Sequence, residues 1–214
     1  TMNLGDHNVQ AIAGYTLEDS NNESMGMSNS NFTFDNMKYN NIGAGSYLAE
    51  GKANMYSGKS LSKLVSVFGR VNYNWKDLIM ASASLRYEGS TKFGANSKWG
   101  YFPAASVAWE MANMPFLQDH GRIVQSLKPR VSYGVTGRSG FGSYQSLSTY
   151  STRNSYFFDG QWVTGYAPSL NANPGLAWEK LVSMNIGVDF VLLNSRIRGS
   201  IDLFDRQSQD LLYN

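Results

Sequence analysis

Residues 63–88 read KLVSVFGRVNYNWKDLIMASASLRYE, and the spacing within them decides the fold. Successive side chains of an extended strand point to opposite faces, so a period of two marks a sheet whose faces meet different surroundings. Val65, Val67, Gly69, Val71, Tyr73 and Trp75 share one face, while Ser66, Phe68, Arg70, Asn72 and Asn74 share the other. After a short polar link at 74–77 the alternation resumes. Ile79, Ala81, Ala83, Leu85 and Tyr87 oppose Met80, Ser82, Ser84, Arg86 and Glu88. Two such runs joined so tightly predict a β-hairpin.

The same alternation recurs outward from this hairpin. It is visible over 8–17, 101–110, 130–135, 182–190 and 197–203. That predicts about seven strands of roughly ten residues, the length a tilted strand needs to cross a bilayer. The connections alternate in length. Residues 17–60 and 137–178 are long and polar, 88–98 is intermediate, and 111–127 is moderate with room for a short helical turn. The links at 74–77 and 193–196 are short. Long loops on one side and short turns on the other are expected of outer-membrane barrels.

Composition points the same way. The 214 residues carry 14% aromatics, 16% charged residues and a net charge of +2. Disordered chains are poor in aromatics and rich in charge, which excludes that class. A net charge this small, with Lys and Arg scattered, gives no nucleic-acid footprint. Without cysteine there is no disulfide framework and no thiolate metal site. No apolar run reaches the length of a transmembrane helix, and no export signal opens the chain. The expectation is an internal or mature segment of a longer exported protein.

Tyr73, Trp75 and Trp109 fall beside the short turns, and Tyr15, Tyr87 and Tyr101 near the long loops. Rings with an apolar body and a polar tip settle at bilayer interfaces, so two girdles are expected. The rival is a soluble antiparallel sandwich with one dry face. Its core would want large interlocking side chains, whereas the apolar face here uses Ala and Gly freely.

The patterns of catalysis that the sequence offers are all incomplete. GKANMYSGKS at 51–60 has Ala53 where a phosphate loop needs its first Gly. Ser60-Leu61-Ser62-Lys63 matches S-x-x-K but lacks the companion motifs. His7 and His120 have no ligand spacing, and no metal site or catalytic residue is expected. Asp19, Asn21 and Glu23 alternate like calcium ligands, but Ser24 stands where an EF-hand loop needs Gly. Calcium in an extracellular loop is therefore the one cofactor weighed, and a solvated loop is preferred.

Several stretches resemble the SusC/RagA family of TonB-dependent outer-membrane transporters. Residues 81–111, ASASLRYEGSTKFGANSKWGYFPAASVAWEM, carry Leu85-Arg86-Tyr87-Glu88-Gly89-Ser90, then Phe93-Gly94, Lys98-Trp99-Gly100-Tyr101-Phe102-Pro103 and Ala108-Trp109 in the family's order. LKPRVSYGVTG at 127–137, NPGLAWE at 173–179 and NIGVDF at 185–190 resemble its next elements. The likeness is good over about 60–212 and weak over 7–17. It implies an all-β fold: an antiparallel transmembrane β-barrel segment, part of one barrel of about 22 strands around a plug domain. The plug, the TonB-contacting segment and the barrel-closing strands are not found in this stretch. The resemblance further implies a non-enzymatic importer of oligosaccharide or peptide nutrients in the bacterial outer membrane. It would be energised through TonB and capped by a SusD-like surface lipoprotein. A passive porin-like barrel is the alternative within the membrane class.

Two residue sets follow as candidate sites. Arg70, Arg86, Glu88, Glu110, Asp189, Arg198 and Asp202 fall on the polar face and would face the lumen. They would form a hydrated wall held by cross-strand pairs, or touch plug or substrate. In the long loop at 137–178, Tyr144, Phe157, Phe158, Trp162 and Tyr166 offer aromatic faces for a ligand or for the lipoprotein lid.

Overall fold

The computed structural model describes residues 1–114, 117 and 123–211, the Arg153 side chain excepted. His120 lies outside the described residues. Ten strands are present among them: β1 (Met2–Leu4), β2 (His7–Ser28), β3 (Asn54–Trp75), β4 (Ile79–Ser90), β5 (Trp99–Trp109), β6 (Val124–Arg138), β7 (Thr149–Phe158), β8 (Gln161–Leu170), β9 (Glu179–Leu192) and β10 (Ile197–Gln209). Eight make one sheet in the order β1-β2-β3-β4-β5-β6-β9-β10, and β7 and β8 pair apart from it. The described ladders are antiparallel.

The seven long strands of the main sheet are those the alternation marks, with the three-residue β1 added. Two expected loops are corrected. Residues 17–60 are not one loop, because β2 continues to Ser28 and β3 begins at Asn54. Gly58, Lys59 and Ser60 are thus strand residues, as are Asp19, Asn21 and Glu23. Residues 137–178 contain the β7–β8 hairpin. In both places Asn, Ser and Gly weaken the period-two signal without preventing the ladder, since strand preference depends on neighbours more than on the backbone itself.

The chain divides into two compact units, residues 1–18 with 63–214, and residues 19–62. In the smaller unit, Asn29 Nδ2 donates to the carbonyls of Ile42 (2.9 Å) and Gly45 (2.8 Å), holding the 3-10 segment Asp35–Ala44. Lys59 Nζ meets Glu23 Oε1 at 2.6 Å.

In the larger unit, pairing sets both faces. Val71, Ala83, Ala105 and Tyr133 stand side by side on the apolar face. On the polar face Asn72, Ser82, Ser106 and Ser132 do the same, and Ser82 and Ser106 hydrogen-bond at 2.8 Å. Among the described residues the apolar face has no second sheet packed on it. Val67 is 56% exposed and Ile186 50%, so the dry centre of a sandwich is not what this face provides. Tyr87 stacks between Trp99 (4.7 Å) and Tyr101 (4.4 Å) at one end of the face. At the other end Trp75, Ile79 and Trp109 are in register, with His7 stacked beside Trp75. Residues 79–87 of β4 separate these two ring clusters, about the length with which a tilted strand crosses a bilayer.

The turns explain themselves. Lys76 and Asp77 both have positive φ, 52° and 53°, the pair of values a type I′ hairpin turn requires. Asn74 fixes it, since its Oδ1 accepts from Asp77 N at 3.0 Å and its Nδ2 donates to Asp77 Oδ1 at 2.6 Å. Between β7 and β8, Asp159 and Gly160 adopt φ 47° and 76° in the same way.

Candidate functional site

The polar face and the loops beyond its long-loop end hold the candidate residues. In the middle of that face Arg130 is a hub. Register places Arg130, Gly187 and Asp202 in one row and Lys128, Asp189 and Ser200 in the next. The guanidinium meets Asp202 at 2.7 Å, both Asp189 oxygens at 3.3 Å and Asn185 Oδ1 at 3.1 Å. Lys128 Nζ adds a longer contact of 3.7 Å to Asp189. The Lys128, Arg130, Asp189 and Asp202 side chains are each about one-third exposed, so water screens the pairs and each contributes little to stability.

The expected wall residues are therefore only partly brought together. Asp189 and Asp202 meet through Arg130, which was not among the expected wall residues. Arg86 and Glu88, two apart on β4, pair with each other. Arg70 donates to Asn72 Oδ1 at 3.0 Å. Arg198 is exposed on β10 in register with Val191, away from the hub. Glu110 serves as a brace. Its carboxylate accepts from Ser126 Oγ (2.6 Å), Leu127 N (2.9 Å) and Ala112 N (3.3 Å), tying the start of β6 to the end of β5.

The aromatic set also divides. In the β7–β8 ladder Phe157 is opposite Trp162 and their rings meet edge to face at 5.6 Å. Tyr166 lies on the same face of β8 as Trp162, two steps of alternation along, and is 72% exposed. Phe158 projects from the other face of the hairpin, and Tyr144 stands before it at φ 69°. Phe157 and Trp162 are thus the members brought into contact, with Tyr166 open on the same face of the hairpin.

A second aromatic group is closed. Phe93, Phe102, Leu176 and Trp178 are the buried apolar core among the described residues, with Phe141 packed on it. Trp178 lies 4.3 Å from the Phe93 ring and 5.2 Å from Phe102, and its Nε1 donates to Lys98 O at 3.0 Å. Gly94 N donates to Leu176 O at 3.0 Å. A Cβ on Gly94 would come 1.9 Å from the Pro174 carbonyl oxygen, so only glycine permits the approach. Two motifs far apart in sequence, Phe93-Gly94 with Lys98–Pro103 and Asn173–Glu179, therefore form one clasp.

Above the clasp is an open cleft of about 600 Å³ where β6 ends and β9 begins. Arg138, Gln145, Asn171, Asn173 and Glu179 line it over Phe141 and Leu176. None of these lining residues was singled out as a site from sequence; carboxamides scattered through a polar loop give no periodic signal. For calcium, Asp19, Asn21 and Glu23 lie along an extended strand instead of wrapping a loop, and Glu23 is paired with Lys59.

Comparison with known proteins fits this architecture. The family model described as TonB dependent receptor-like, beta-barrel matches residues 3–214. TonB-dependent receptor P3 of Formosa agariphila is 31% identical over 98% of this chain and 20% of its own length. TonB-dependent receptor SusC of Bacteroides thetaiotaomicron is 36% identical over 70% of this chain and 15% of its own. Among solved structures, the RagAB peptide transporter superposes with a TM-score of 0.83 at 25% identity, over 97% of this chain and 22% of that one. The chain spans about a fifth of the length of these relatives. It belongs to the TonB-dependent receptor β-barrel family, whose SusC and RagA members are transporters and not enzymes.

Proposed function

We propose that this chain is part of the wall and extracellular loops of an outer-membrane importer that takes up oligosaccharide or peptide nutrients with energy delivered through TonB. The observation that carries the reading is the sheet's apolar face, which is exposed between two aromatic clusters about one tilted strand crossing apart. Sheet edges left unpaired in hydrocarbon cost several kcal/mol per backbone group, so β1–β2 at one edge and β10 at the other need neighbours from a larger barrel. A barrel of about 22 strands around a plug supplies them. The hub of Arg130, Asp189 and Asp202, with Arg70, Arg86, Glu88 and Arg198, would then line the wet interior. Phe157, Trp162 and Tyr166 would stand outside as contacts for ligand or for a SusD-like lipoprotein lid, with Phe158 and Tyr144 flanking them.

Two measurements on the full-length receptor test this. Ala83, midway between the girdles on β4, faces the apolar side and Ser84 the polar side. A lysine at the bilayer midplane costs about 2–4 kcal/mol. Ala83→Lys is expected to deplete the folded, heat-modifiable receptor in the outer membrane, and Ser84→Lys to leave it near wild type. Equal effects would remove the membrane reading. Uptake that survives deletion of the cell's TonB would turn the assignment to a passive porin.

A further inference from the structure

Resting on the importer reading, we infer that the cleft at the outer ends of β6 and β9 is a subsite for an uncharged, hydroxyl-dense ligand, a segment of a neutral oligosaccharide. Arg138 and Glu179 are direct partners in the β6–β9 ladder, yet no ion pair joins them. Eight and ten residues earlier on β6, Arg130 and Lys128 are in contact with Asp189 of β9, and Arg130 also with Asp202 of β10. The outer pair is thus left open where the inner charges are closed. Gln145, Asn171 and Asn173 also line the cleft, and their carboxamides are engaged by no described residue.

These groups suit one chemistry. A carboxamide offers donor and acceptor together, which matches a hydroxyl that is itself both. One cation and one anion leave the lining with no net charge, so no ionic ligand is favoured. The floor is apolar and firm. Phe141 stands edge-on against the buried Phe93 at 5.1 Å, and Leu176 is 4% exposed. A ring held this way presents a fixed surface for the C–H side of a sugar. A cleft of about 600 Å³ is within the usual size for small-molecule sites.

The test uses the purified full-length receptor on an array of neutral and acidic oligosaccharides beside a random hexapeptide library. Neutral oligosaccharides should bind. Asn173→Ala and Arg138→Ala should each weaken that binding about tenfold, the loss expected when one good polar contact goes. Both variants should keep the folded, heat-modifiable band. Binding of peptides or acidic glycans alone, no binding of any neutral glycan, or unchanged affinity in the Asn173→Ala/Arg138→Ala double variant would each overturn the subsite. TonB-dependent uptake measured on the same receptor separates these results from failure of the importer reading itself.

Discussion

Two groups of aromatic rings in this chain have the same chemistry and opposite surroundings. Phe93, Phe102 and Trp178 are buried under loops at one end of the sheet. Phe157, Trp162 and Tyr166 stand on a two-stranded hairpin, 62–72% exposed. The first group belongs to the motifs that carry the family resemblance, and its rings hold two distant segments together. The second belongs to a stretch with no such motif. The lesson is that the most recognisable rings here are architectural. The rings left open to the surroundings are carried by the segment with the least recognisable sequence, as is common for loops on a rigid scaffold.

That contrast can be broken by experiment. Trp178→Ala removes the centre of the clasp and should cost about 3–5 kcal/mol, the range for truncating a large buried aromatic. It should be read as a fall in the temperature at which the full-length receptor loses its folded electrophoretic band. A wild-type temperature would mean that the clasp is not a core. Gly94→Ala should follow, at about 1–3 kcal/mol, because the backbone oxygen of Pro174 cannot turn aside as a side chain could. Trp162→Ala sharpens the other half. Stability should stay within about 0.5 kcal/mol, as for exposed positions generally. Calorimetric affinity for either an oligosaccharide or peptide ligand or the SusD-like lipoprotein should drop about tenfold. Unchanged affinity for all of them would remove the hairpin from the contact surface.

The uneven legibility of the sequence has the same origin. Strands β3, β4, β5 and β9 could be read because one face meets apolar surroundings and the other water, which imprints a period of two. The outer parts of β2 and β3 have no such contrast. Met25, Met27, Met55 and Tyr56 are exposed there among Ser, Asn and Gly. The β7–β8 hairpin did have a signal, Asp159-Gly160 between aromatic runs, the residue pair a type I′ turn favours. It was masked by the general polarity of residues 137–178. The site was less legible than the fold. Asp189 and Asp202 could be placed on the polar face, but only pairing across β6, β9 and β10 shows that Arg130 joins them. Glu110 looked like one more wall charge, and its role as a brace depends on the approach of Ser126 and Leu127. The cleft depends on which ends of which strands meet, and spacing along one chain cannot show that.

The balance at the Arg130 hub has an electrical meaning. Lys128 and Arg130 stand within contact range of Asp189 and Asp202, so their fields largely cancel a short way from the surface. Beyond a screening length of about 8 Å at physiological salt, little potential is left to attract or repel a passing solute. At that distance this stretch of the polar face is close to electrically neutral, and what it offers a nearby molecule is hydrogen bonding at contact range.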